Sequence, residues 1–325
     1  MYSWISWGTF QIFGTGLFAL TLLKYTLITL TFWLTWLVSG QLFQHLQTRY
    51  IATFSYLLMP SFAWHMHQGF THTILLGFGI ILTLRALLLL KENNSIRNYL
   101  YFGLALGIGL MAKYSFLLFM VPLLLSAITI ASFRKIIINQ KIFLSIGIFI
   151  LVIGPHVYWP AQHYQELFLS IDQKLIVTSD NLLLDRVKSV GQFASTAIAF
   201  TTPFSLIFLI NSWKKIFNID KQAKNDDSSL LLNRFYMIII ALVILLAIFV
   251  SMPHFKIRWL HPLMMVFPLW ILASIERQAL LSKSVMRWFT GITVIFTVLI
   301  LLIRITQVTI GPDLGQYARL NRPII

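Results

Sequence analysis

The stretch Gly103-Leu-Ala-Leu-Gly-Ile-Gly-Leu-Met-Ala-Lys113-Tyr114-Ser-Phe-Leu-Leu-Phe119 constrains the fold of this chain most tightly. Two apolar runs meet there at a single lysine, and together they extend from Tyr99 to Ile130. One bilayer span takes about 20 apolar residues, so the stretch predicts two helices joined by a tight turn at Lys113-Tyr114-Ser115. Gly103, Gly107 and Gly109 recur along the first helix, and small residues so spaced let neighbouring helices come close. Lys113 then sits where the turn meets the membrane surface. Two readings stand for it: a snorkelling side chain at a helix end, or a cation offered to an anion.

The same pattern runs through the chain. Apolar runs at 17–38, 50–64, 74–90, 99–112, 116–130, 142–154, 191–210, 235–250, 259–275 and 288–303 predict an all-α, multi-pass transmembrane helical bundle of about ten spans. Only 11% of the residues are charged, against about 25% in soluble domains. The net charge of +15 comes without a long basic block or a nucleic-acid motif, so membrane lipids and not nucleic acid are the expected surroundings. The absence of cysteine excludes disulfide and thiolate chemistry.

Most of the positive charge lies in short loops. Arg49, Lys91, Arg97, Arg134, Lys135, Lys141, Lys214, Lys215, Lys221, Lys224, Arg234, Arg277, Lys283 and Arg287 fall on one side, which the positive-inside rule makes cytoplasmic. The Lys113 turn, the histidine-rich bend at 65–73, the long connection at 155–190 and the turn at 253–262 then share the outer face. The 155–190 segment predicts an ordered cap there, because a connection of that length is usually functional or disordered and this one is rich in aromatic residues. Residues 1–16, with Trp4, Trp7, Phe10 and Phe13, predict an interfacial helix. No internal repeat is found, which weighs against an inverted-repeat transporter.

Several polar residues on the outer side keep two readings each. Lys24 lies about two turns inside the first span and either snorkels or faces a polar cavity. Lys256 and Arg258 are either interfacial anchors or a phosphate clamp, arginine by its fork. His156, Trp159 and His163 belong either to an aromatic belt or to a sugar- or acceptor-binding surface. His65, His67 and His72 invite a metal reading, but zinc needs three or four placed ligands and neither cysteine nor a nearby acid supplies them. No metal or cofactor is expected. Asp172, Asp180 and Asp185 read as solvated surface.

Four places taken in order carry a family resemblance. They are the glycine-rich span ending in Lys113-Tyr114, Thr71-His72-Thr73 opening a span, Gly154-Pro155-His156 with Trp159 and His163, and Lys256-Ile-Arg258-Trp259 with Pro262. In them the chain resembles, over nearly its whole length, the integral-membrane GT-C glycosyltransferases. The similarity is to the branch of protein O-mannosyltransferases and aminoarabinose transferases, and within it to the RgtA/B/C/D-like lipopolysaccharide sugar transferases. The resemblance implies a multi-pass protein of the bacterial inner membrane. Its periplasmic face would take a sugar from a polyprenyl-phosphate donor and pass it to a lipid-linked, lipopolysaccharide or other envelope acceptor. By resemblance, Lys113, Tyr114, Lys256, Arg258 and Lys24 hold the donor phosphate, and Thr71, His72, His156, Trp159 and His163 meet sugar or acceptor.

The resemblance also implies an aspartate in the first outer loop, as general base. No acidic residue precedes Glu92, so that aspartate is expected ahead of Met1 and the catalytic residue is unknown. The expectation is of a chain truncated at both ends. Residues 1–310 would form the GT-C-like transmembrane domain, and 311–325 would begin a C-terminal periplasmic region. A lipid-linked sugar transporter or flippase, or a non-catalytic envelope scaffold, are the rival readings.

Overall fold

The computed structural model describes residues 1–69, 72–162, 182–216, 226–249, 260–277 and 281–309, and among them every regular element is a helix. Helix α1 (Tyr2–Phe13) leads through Gly14, at φ 78°, into α2 (Leu17–Leu42). The return from α2 is broken: α3 (Leu46–Phe54), a 3-10 turn at Ser55–Leu58, α4 (Pro60–Ala63) and α5 (His65–Gln68) follow one another. Helices α6 (His72–Glu92) and α7 (Ile96–Ala112) come next, then a 3-10 turn at Tyr114–Phe116, α8 (Leu117–Thr129), α9 (Ala131–Ile137) and α10 (Ile142–Gln162). The remaining helices are α11 (Leu182–Ile216), α12 (Asp227–Phe249), α13 (His261–Met264), α14 (Phe267–Arg277) and α15 (Lys283–Thr309).

The expected apolar segments are helical, but they do not all cross as single rods. Among the described residues five helices are long and apolar enough to span a membrane alone. Helices α8 and α9 make a further span only as a pair, bent by 113°. The 50–64 segment breaks because Pro60 opens a new short helix after Met59 turns extended. The 259–275 segment breaks between α13 and α14. Buried tyrosines tie these breaks together: Tyr56 Oη donates to the Met265 carbonyl at 2.9 Å, and Tyr236 Oη to that of Leu263 at 2.9 Å. Both carbonyls would otherwise be left without partners by the interrupted helices, which is costly where water is absent.

The span α2 buries Thr31, Thr35 and Ser39 without penalty, because each hydroxyl donates to the carbonyl one turn earlier, at 2.7, 2.8 and 2.7 Å. Arg85, two turns inside α6, donates to the Leu37 carbonyl of α2 at 3.3 Å. Polar contacts also tie the bundle at the end where α2 and α6 finish. There Gln41 donates to Glu92 at 2.9 Å, Lys91 to Ser228 at 3.0 Å and the His45 backbone to Glu276 at 2.7 Å.

Helix α7 sits between α6 and α10 at distances that only glycine permits. A Cβ on Gly103 would lie 2.2 Å from the Ser145 carbonyl oxygen of α10, and one on Gly79 of α6 would lie 2.7 Å from the Gly109 Cα. The close approach lets Ser145 Oγ donate across the interface to the Tyr99 carbonyl at 2.7 Å. Gly109 also receives the Phe116 ring, whose atoms would fall within 2.3–2.7 Å of an added Cβ. The 3-10 turn is thereby folded back onto the helix it follows.

The connection expected from Pro155 begins later than the sequence suggested. Helix α10 continues through Pro155 and His156 to Gln162, and α11 already runs from Leu182, so the start of the expected cap is helical. Residues 163–181, the heart of that segment, lie outside the described residues, as do 311–325. Helix α1 covers most of the stretch 1–16 and leaves Trp4, Trp7, Ile12 and Phe13 exposed.

Substituting Gly103→Ala should lower stability by about 1–3 kcal/mol, because the Ser145 backbone must move to admit one methyl group. Gly147→Ala is the control: nothing lies within 4 Å of its Cβ position, so helix propensity alone should leave it neutral or slightly stabilised. Thermal melts of the two variants in detergent check the contrast.

Candidate functional site

The turn after α7 is built by the packing just described. Lys113 caps α7 in an extended conformation, with φ −169° and ψ 137°, so its side chain leaves the helix axis. The Phe116 backbone N–H closes the turn by donating to the Lys113 carbonyl at 2.9 Å. Tyr114, between them, is thrown outward and is 53% exposed. Its ring stacks on His156 of α10 with centroids 5.7 Å apart, and Tyr114 Oη pairs with His156 Nε2 at 2.7 Å.

Lys113, Tyr114 and His156 line a cavity of about 400 Å³ together with His72, Ser3 and Trp4. His72 opens α6 and its ring meets that of Tyr2 edge-on at 5.5 Å. The Met1 nitrogen donates to the Met111 carbonyl at 3.3 Å, which seats α1 beside the cavity. Four residues picked from separate stretches of sequence therefore converge at one end of the bundle. This end is opposite the one where Gln41, Lys91 and Glu276 make their contacts. The lining carries a cation, two imidazoles, a phenol and a hydroxyl, and no carboxylate among the described residues. Such a lining suits an anion surrounded by hydroxyl groups.

Lys24 lies elsewhere. It is buried, at 4% exposure, so it faces protein and does not snorkel along the lipid. Its ammonium lies 5.5 Å from the centroid of the Tyr25 ring. Tyr25 Oη pairs with His67 Nδ1 at 3.2 Å. Arg304 of α15 completes this second group: its guanidinium lies 4.4 Å from the Trp64 ring centroid, and Nη2 donates to the Trp64 carbonyl at 3.3 Å. Burial holds the His67 pKa below its ordinary value, and the charges of Lys24 and Arg304 press it in the same direction. Neither Arg304 nor the pairing of Tyr25 with His67 is singled out by the sequence patterns. The signal available for Arg304 was an arginine directly after the last apolar run, in a helix that continues past it to Thr309.

Thr71, His163, Lys256 and Arg258 lie outside the described residues, as does the side chain of Trp159. The residues that follow the 253–262 turn are deeply packed. His261 is buried, with its ring edge-on to Phe62 and to Phe200 at 5.2 Å each. No three metal-binding side chains gather among the described residues.

Comparison with known proteins shows what the chain is similar to. Residues 1–159 match the family model described as dolichyl-phosphate-mannose-protein mannosyltransferase. The lipopolysaccharide core galacturonosyltransferase RgtB of Rhizobium johnstonii is 25% identical over 99% of this chain and 65% of its own length. RgtA of the same organism, also a lipopolysaccharide core galacturonosyltransferase, is 24% identical over 99% of this chain and 64% of its own. The chain thus spans just under two thirds of these curated relatives. Among solved structures, ArnT from Cupriavidus metallidurans bound to undecaprenyl phosphate superposes with a TM-score of 0.56 at 15% identity. That match covers 85% of this chain and 49% of ArnT, and it gives the fold.

His67 generates a prediction. A histidine whose folded pKa lies below its unfolded value of 6.5 favours the native state when neutral. Its contribution is complete above pH 6.5 and is lost as the pH falls from there towards the folded pKa. The melting temperature in detergent should therefore drop on acidification from pH 7.5 to pH 5.5, by roughly one to a few degrees for a single such group. His67→Gln should flatten that part of the profile.

Proposed function

We propose that this chain, whose residues 1–159 match the dolichyl-phosphate-mannose-protein mannosyltransferase family model, is a membrane glycosyltransferase. It takes a sugar from a polyprenyl-phosphate donor and delivers it to lipopolysaccharide at the periplasmic face of a bacterial inner membrane. The observation that carries the reading is the cavity in which Lys113, His72, Tyr114 and His156 meet at one end of a helical bundle. The basic loops gather at the other end, which the positive-inside rule makes cytoplasmic.

The chemistry follows from the side chains. When the glycosyl–phosphate bond breaks, negative charge builds on the departing phosphate. A fixed ammonium in a partly dry cavity stabilises that charge more than water does. Lys113 takes that role, with its position set by the glycine contacts of α7. His72 and the Tyr114–His156 pair supply hydrogen-bond donors and acceptors to sugar hydroxyls of donor or acceptor. Because the two curated relatives are galacturonosyltransferases, the sugar in this reading is a uronic acid. A flippase would use the same cations to hold a lipid phosphate but would break no bond.

Transfer of a radiolabelled sugar from polyprenyl phosphate to lipopolysaccharide, in membranes that carry the chain, separates the readings. Lys113→Ala should reduce transfer by about two orders of magnitude, the scale on which removal of one charge-stabilising group acts. Tyr114→Phe, which keeps the ring but loses the bond to His156, should cost roughly tenfold or less. Labelled donor lipid that crosses the bilayer without any transfer would support the flippase instead.

A further inference from the structure

The group around Lys24 is not used by the phosphate chemistry above. It does not line the Lys113 cavity, yet it brings two basic side chains, from α2 and α15, beside a histidine of α5. Such charges inside a membrane protein are expensive, and where they occur they tend to mark a binding path. We infer that Lys24, Arg304 and His67 form a subsite for the carboxylate of the sugar being transferred, which makes these residues the determinants of an acidic donor. The inference rests on the transferase reading and adds to it the residues that select the sugar.

Four features favour a carboxylate. Arginine's planar fork matches the two oxygens of a carboxylate, and Arg304 is already oriented by its stacking over Trp64 and its bond to the Trp64 carbonyl. Lys24, on α2, lies within electrostatic range of Arg304 and adds an amine. His67, whose Nδ1 pairs with Tyr25 Oη, stays neutral at physiological pH and offers an N–H without adding a third positive charge. The rings of Tyr25 and Trp64 flank the cations and present flat apolar surface of the kind that packs on the C–H face of a pyranose. The two groups also sit at opposite ends of one short bend. His67 and His72 are five positions apart, so their backbones lie at most about 18 Å from one another. A glycosyl donor with a phosphate at one end and a carboxylate at the other offers one anion to each group.

Thermal shift on the full chain in detergent tests this with three small probes: galacturonate, galactose and inorganic phosphate. Galacturonate should stabilise the wild type at concentrations where galactose does not. Arg304→Gln and Lys24→Met should each weaken the apparent affinity for galacturonate at least fivefold, and Lys113→Gln should leave it in place. Phosphate should show the reverse dependence. Two substitutions on different helices guard against a fold defect in either. The inference fails if galactose stabilises as well as galacturonate, or if the galacturonate shift survives both Arg304→Gln and Lys24→Met. It also fails if Arg304→Gln abolishes the phosphate shift, since the group would then hold phosphate. Binding is read here without turnover. Intact galacturonate binding with no transfer would count against the transferase alone, and transfer with no preference for the acidic sugar would count against this subsite alone.

Discussion

The contact on which the structure depends is the backbone-to-backbone approach of α7 to its neighbours. Helices in a bilayer gain little from hiding apolar side chains, because lipid is as apolar as they are. They associate through close packing and interhelical hydrogen bonds. Gly103 against Ser145 and Gly79 against Gly109 bring three helices to that range. The Ser145–Tyr99 bond then locks their register. Everything at the cavity follows from this register. Gly109 admits the Phe116 ring, the ring folds the turn, and the turn aims Tyr114 at His156. Lys113 is held at the cavity by the neighbours on either side of it.

A second theme is the division of positive charge. A single dense cationic site would repel itself, and in a low-dielectric interior that repulsion is strong. This protein separates its cations into two groups on either side of the bend between α5 and α6. One is open, with the exposed Tyr114 at its edge. The other is closed, with Lys24 almost wholly buried. Holding His67 neutral keeps one further positive charge out of the closed group. The arrangement suits a ligand that carries separated negative charges better than one with a single compact anion.

Much of this was legible in the sequence. The apolar runs identified the helices, and the glycine spacing ahead of Lys113 identified the helix that packs most closely. The grouping of Lys113, His72 and His156 at one end followed from counting spans. What the sequence could not carry were relations across space. Gly79 looked like any glycine in an apolar run, and only the facing Gly109 explains it. Pro155 looked like the end of a helix, yet α10 passes through it. Lys24 kept two readings because its burial depends on the elements that pack around α2, which the pattern along α2 alone does not show. Arg304 was overlooked for the same reason: its significance comes from Trp64 and His67, which periodicity along α15 cannot reveal.

Helix α15 is 27 residues long and presents most of its apolar side chains outward. Few neighbours grip it along its flanks, and near its far end Arg304 is fastened to Trp64. A rod of that length measures about 40 Å. Pivoted near Lys283, a swing of roughly three degrees would carry Arg304 by about 1.6 Å, enough to break a hydrogen bond. Bilayer thickness and lateral pressure act directly on such an outlying rod. The tilt of α15 thus sets how Arg304 meets Trp64.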